Sequence, residues 1–229
     1  MKTFLGIRFL ILIFQLLTTL FCSLAYAIGC PQQSFNRKKV VQMPEDNRKQ
    51  DHPKIWGKFG SPFDDYLGVI AYSNLADGQG GKFQCTELIH RFMKDIYGVP
   101  TRLGMGLGHA KDLAQNLAIK FPISVGSYGP VENKRIHFIF FPSACTSVEP
   151  STGSLVSLQA GKFGHIAVVR RVKKINNDEI RIELFEQHGE LSFKIGQHKP
   201  IRGLTLRRTM GGIWYHPKVI GWLVPIFSD

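Results

Sequence analysis

A thiol attacks a carbonyl carbon as its thiolate, and a cysteine at a helix N-terminus is helped toward that form by unpaired backbone N–H groups and the positive end of the helix dipole. Cys85 falls in the first turn of a segment from about Gln84 to Tyr97, in which Leu88, Ile89, Phe92, Met93 and Ile96 recur at spacings of three and four. Glu87 and Arg91 form an i,i+4 ion pair on that helix, and Gly98 and Pro100 stop it. Taken alone, Cys85 also reads as a small hydrophobe beside Leu88 and Ile89. A base is needed to make it a nucleophile.

Gly164-His165-Ile166-Ala167-Val168-Val169 offers one. The run after His165 is apolar on both faces, which predicts a central strand with His165 at its start, where a loop meets the sheet. Further on, Ile180, Ile182 and Leu184 alternate along one face and Glu186 takes the next position on it. A carboxylate ending an apolar row is costly unless paired, and an imidazole N–H is a fitting partner. A hairpin turn centred on Asn177 would set His165 opposite Gly189 and leave Glu186 three residues short. A bulge or another turn centre would close the gap.

The elements that must hold these residues follow from the same patterns. A loop is expected over Ser73–Gly81, a second helix from about His109 to Ala118, and short strands at Ile136–Phe141, Ser154–Leu158, Ile166–Val172, Ile180–Phe185, Leu204–Arg208 and Trp222–Val224. Helices first and strands later predict an α+β domain in which N-terminal helices pack on an antiparallel sheet. Trp214, Tyr215 and Trp222 read better as core than as a ligand groove. Gly104-Met105-Gly106-Leu107-Gly108 follows no strand and lacks the lysine and hydroxyl residue of a phosphate loop, and no zinc-type spacing of His or Cys occurs, so neither cofactor nor metal is expected.

At the N-terminus, Lys2 and Arg8 flank the start of an apolar run, Phe9–Phe21, followed by Ala25-Tyr26-Ala27. This is the order of a signal peptide, residues 1–27, cleaved before Ile28. The run is short for a membrane span and carries Gln15, Thr18 and Thr19. A lipid anchor on Cys30 is the alternative, opposed by Ala27 where a leucine is usual and by Pro31. Residues 28–55 are polar and read as a flexible spacer, with the domain over 56–227 beginning near Trp56. Export removes Cys22, leaving Cys30, Cys85 and Cys145. With an odd count in an oxidising compartment, Cys85 is the candidate free thiol; Cys30 and Cys145 could bridge, or all three could be free. The formal charge of +12, less Lys2 and Arg8 of the leader, leaves +10 on the mature chain. That suits an anionic envelope surface or plain solvated charge, and no nucleic-acid-binding pattern accompanies it. A monomer is expected.

Five segments in order resemble the CHAP family of cysteine, histidine-dependent amidohydrolases and peptidases. Phe83-Gln84-Cys85-Thr86-Glu87-Leu88 resembles its nucleophile segment and Gly108-His109-Ala110-Lys111-Asp112-Leu113 its Gly-Asn-Ala helix motif. Gly164–Val169 is similar to its histidine strand, Glu186-Gln187-His188 to its Glu-Gln-Asn segment and Gly221-Trp222-Leu223 to a frequent closing strand. The resemblance spans about Trp56 to Val224. It implies a papain-like fold with Cys85, His165 and Glu186 as the catalytic set, Gln84 and the Cys85 N–H as oxyanion donors, and His188 in a fourth position that is usually Asn. His109 also replaces an Asn and reads as a cap or surface residue. The implied activity is hydrolysis of amide bonds, most often in peptidoglycan, by an exported amidase or peptidase. The alternatives are a glutathionylspermidine-type amidase, whose cytosolic substrate fits the leader poorly, and a non-catalytic exported wall-binding protein on the same fold.

Overall fold

The computed structural model describes residues 35, 37–46, 54–55, 60–73, 84–187, 198–199 and 202–228. The leader, Cys30, Trp56, most of the expected Ser73–Gly81 loop and His188 lie outside the described residues.

Helix α1, Cys85–Tyr97, buries the stripe that its spacing predicts, with Leu88, Ile89, Phe92, Met93 and Ile96 all at most 1% exposed. Each such side chain contributes roughly 1.5–3 kcal/mol of apolar burial. The helix ends at Gly98, whose left-handed conformation (φ 65°) lets its N–H reach Lys94 O. A side chain there would also meet Val125 O, since an added Cβ would lie 2.1 Å away. Helix α2, Ala110–Lys120, is shorter and buries Ala110, Leu113, Ala114 and Leu117.

The strands are β1 (Lys54–Ile55), β2 (Pro62–Tyr66), β3 (Val69–Tyr72), β4 (Ile123–Val125), β5 (Arg135–Pro142), β6 (Leu155–Leu158), β7 (His165–Lys174), β8 (Glu179–Phe185), β9 (His198–Lys199), β10 (Gly203–Arg208), β11 (Trp214–Tyr215) and β12 (Val219–Phe227). Among the described residues eight of them form one antiparallel sheet in the order β11-β10-β8-β7-β6-β12-β5-β4. Strands β6 and the first half of β7 are buried on both faces, as expected for central strands. The α+β class with an antiparallel sheet is therefore what the chain adopts.

Four features differ from expectation. A hairpin, β2–β3, precedes α1, so the order is not helices first. Part of the stretch read as a spacer is packed: Val41 and Met43 are 0% and 2% exposed, the Val41 N–H donates to Pro225 O at 2.9 Å, and Thr152 Oγ1 donates to Met43 O at 2.6 Å. Arg170, one of the positive charges that could have been plain solvated charge, is fully buried, pairs with Asp46 and Asp64, and stacks over Tyr66 and Phe185. Of the three aromatic residues read as core, Trp214 and Trp222 are buried and Tyr215 is 43% exposed.

Candidate active site

Cys85 is the first residue of α1, and Gln84 is its N-cap in extended backbone. The first turn of a helix has N–H groups without intrahelical partners, and the Cys85 N–H is one of them. The Gln84 side chain makes no capping hydrogen bond to the helix, so its amide is not spent on the helix end. Cys85 is a free thiol and 8% exposed.

His165 opens β7 opposite Leu158 of β6 and is 6% exposed. Gly164 before it is left-handed (φ 72°) and passes so close to α2 that an added Cβ would lie 2.4 Å from Lys111 Cβ and 2.8 Å from Lys111 N. The Lys111 N–H donates to Phe163 O at 3.2 Å, pinning the same loop. His165 therefore enters the sheet from a fixed approach. Its Nε2 bonds Glu186 Oε2 at 2.9 Å, and its ring interacts electrostatically with the Cys85 side chain. With Nε2 on the carboxylate, Nδ1 is the nitrogen left for sulfur. Burial opposes the charged imidazolium, but its interactions with Cys85 and Glu186 outweigh it and push His165 from 6.5 up to about 9.

Cys85, His165 and Glu186 thus lie together and buried, the gap left by a regular hairpin being closed by a register shift between Val169 and Arg171. Gln84 stands beside Cys85, half-buried. His109 occupies the N-cap position of α2 without a side-chain capping bond, and its exposed ring packs on Phe163 at 4.9 Å.

Two further residues complete the row, and neither was singled out from sequence. Gln187 is fully buried and turns the opposite way from Glu186, toward the start of α1. Its Nε2 donates to Gln84 O at 3.1 Å and Glu87 Oε2 at 2.9 Å, and its Oε1 accepts from the Tyr72 N–H at 2.7 Å. It ties the end of β8 to the residue that precedes the thiol. Strand alternation could have flagged it, since the residue after an inward Glu faces the other layer. Arg202, ahead of β10, donates from Nη1 to Glu186 Oε2 at 3.1 Å. No local pattern marks Arg202, whose place depends on the pairing of β10 with β8. Among the described residues no group of three or more His, Cys, Asp or Glu is arranged to hold a metal ion.

Chemically, the row can move a proton between sulfur and a carboxylate-anchored imidazole beside free helix N–H groups, which is the equipment of acyl transfer through a thiol. A scan against protein-family models finds no match to the chain, and a search of curated proteins finds none either.

Proposed function

We propose that the chain is an exported cysteine amidase or peptidase on a papain-like, CHAP-type fold, hydrolysing amide bonds of peptidoglycan. The observation that carries the reading is the buried set of Cys85, at the head of α1, His165, on which it acts electrostatically, and Glu186, hydrogen-bonded to His165 Nε2. The five ordered segments support the family, and the leader and positive charge favour an anionic envelope polymer as the target.

In this reaction the proton of Cys85 passes to His165, and the thiolate attacks the amide carbonyl carbon. The carbonyl π pair moves to oxygen, where the Cys85 N–H and the Gln84 amide hold the negative charge. On collapse the C–N bond breaks and the His165 proton leaves with the amine. Water then adds to the thioester carbonyl as it gives a proton to His165. The C–S bond breaks, the acid departs, and His165 returns the proton to sulfur. Glu186 stabilises the imidazolium and fixes the ring without taking the proton.

The test is digestion of purified sacculi by the mature protein, with released fragments identified by mass spectrometry. New amine and carboxylate termini at one type of amide bond, absent with Cys85→Ala, are expected. Equal wall clearing by both proteins, or binding without cleavage of any wall or peptide amide, would replace the enzyme with a binding module.

A further inference from the structure

Glu186 does not serve His165 alone. The oxygen bonded to His165 Nε2 at 2.9 Å is the same Oε2 that accepts from Arg202 Nη1 at 3.1 Å. The carboxylate side chain is 4% exposed and the guanidinium side chain 33%, so the arginine closes the solvent side of a buried acid. Its backbone is held as well. The Leu184 N–H donates to Arg202 O at 2.9 Å, and Gly203 pairs with Glu183, which clamps Arg202 beside the strand end that presents Glu186. A guanidinium is always charged and rigidly planar, so a carboxylate it grips is held both ionised and oriented.

We infer that Arg202 is a positioning residue for the reaction of Cys85: it fixes Glu186 Oε2 against His165 Nε2 and, by sharing that oxygen, limits how tightly the carboxylate holds the imidazolium. The role rests on the amidase reading for its catalytic meaning. The electrostatic part stands on the two contacts alone.

The groups that act on His165 are Cys85 of α1 and Glu186 after β8; Arg202 before β10 bonds Glu186, Lys111 of α2 packs on Gly164 beside the histidine, and His216 in the turn before β12 feels Arg202 and Lys218. His216 is held below its ordinary value by burial first, then by Lys218 and Arg202, so it adds no proton to the site at neutral pH. Of the cations in this set, Arg202 is the one bonded to Glu186. Removing it should let His165 keep its proton to higher pH, moving the alkaline limb of a rate profile up.

The experiment is an NMR titration of the histidine ring signals in the isotope-labelled mature chain, with the His165 resonance assigned by His165→Gln. In Arg202→Ala, His165 is expected to titrate about one pH unit higher, and Arg202→Lys, which keeps the charge, should restore most of the difference. In parallel, kcat on an amide substrate should fall about tenfold with KM little changed, because orientation is lost and not binding. Unchanged titration of His165 in Arg202→Ala overturns the inference. Should Arg202→Ala fail to fold, Arg202→Gln, which keeps a donor without the charge, must give the same shift or the inference fails. Because the titration does not depend on turnover, a chain that cleaves no amide sinks the amidase reading and leaves this measurement intact.

Discussion

Glu186 bonds His165 because β7 carries one residue more than β8 between them. From the Asn177 turn, Lys174 pairs with Ile180 and Arg171 with Glu183, but beyond Arg170 the register slips by one, to Val169 with Leu184 and Val168 with Phe185. Continued one residue, the slipped register sets Glu186 across from Ala167, on the face His165 shares. Without the slip, Glu186 would oppose Val168 and point through the other face, because side chains alternate strictly along a strand. The bulge therefore builds the His165–Glu186 pair.

The extra residue, Arg170, should be costly to lose. Its guanidinium carries the charges of Asp46 and Asp64, and the Arg170 and Asp64 side chains are both 0% exposed. Arg170→Ala leaves those acids uncompensated, and a loss of about 3–5 kcal/mol is expected from urea unfolding of the mature protein. A loss below about 1 kcal/mol would show that the acids find water or other partners when the arginine is gone.

How much of this was readable depends on how local each feature is. The stripe of α1 and the apolar runs of β5 to β8 lie within single segments, and the structure keeps them nearly as read. The β2 strand was missed because Asp64 and Asp65 interrupt its apolar character. Asp64 is buried where Arg170, 106 residues further along the chain, pairs with it. Val41 and Met43 looked too isolated to anchor a polar stretch; their burial is decided by β12 and the Ser151–Ser154 loop, which bond that backbone. Arg202 and the bulge share this character, since both exist only once strands have chosen partners.

Cysteine chemistry gives a second test. Cys145 is disulfide-bonded, while Cys85 is a free thiol. If residues 1–27 leave as a signal peptide, Cys22 goes with them, and peptide mapping of the remaining chain without reductant should find Cys30 joined to Cys145. Iodoacetamide at neutral pH should label Cys85 alone, and more slowly in His165→Ala. Labelling of Cys145 at a comparable rate would mean that the bridge does not form, and equal rates for Cys85 with and without His165 would remove the case for activation.

A third prediction concerns pH. His165 is raised from 6.5 to about 9, so the imidazolium that protonates the leaving amine persists through neutral pH and is lost as pH passes about 9. Turnover should fall on an alkaline limb near that value. Glu186→Gln removes one of the charges that raise His165 and should move the limb down. The stability linked to this proton has the same sign: it is fully present below about 6.5 and disappears as pH rises through about 9. An alkaline limb unmoved by Glu186→Gln would assign it to some other group.

The last prediction ranks the residues by their part in the reaction. In the proposed reaction Cys85 forms the covalent bond and His165 moves both protons, so Cys85→Ala and His165→Ala should each abolish nearly all turnover, and the double variant should be scarcely worse than either. Glu186 acts through His165. Glu186→Gln keeps a group near Nε2 without the charge, and a measurable remainder of activity is expected. Gln84→Ala deletes one of two oxyanion donors and should lower turnover by about 10²–10³, leaving labelling of Cys85 by iodoacetamide unchanged because that reaction develops no oxyanion. The His188→Asn change restores the residue usual in the CHAP family and should be tolerated. Steady-state kinetics on a soluble wall-peptide amide, run beside circular dichroism to exclude misfolded variants, measure the order directly. Were Glu186→Gln to match Cys85→Ala, the carboxylate would be part of the proton path and not its anchor; were Gln84→Ala to retain full rate, the oxyanion would have to be held by backbone N–H groups of α1 alone.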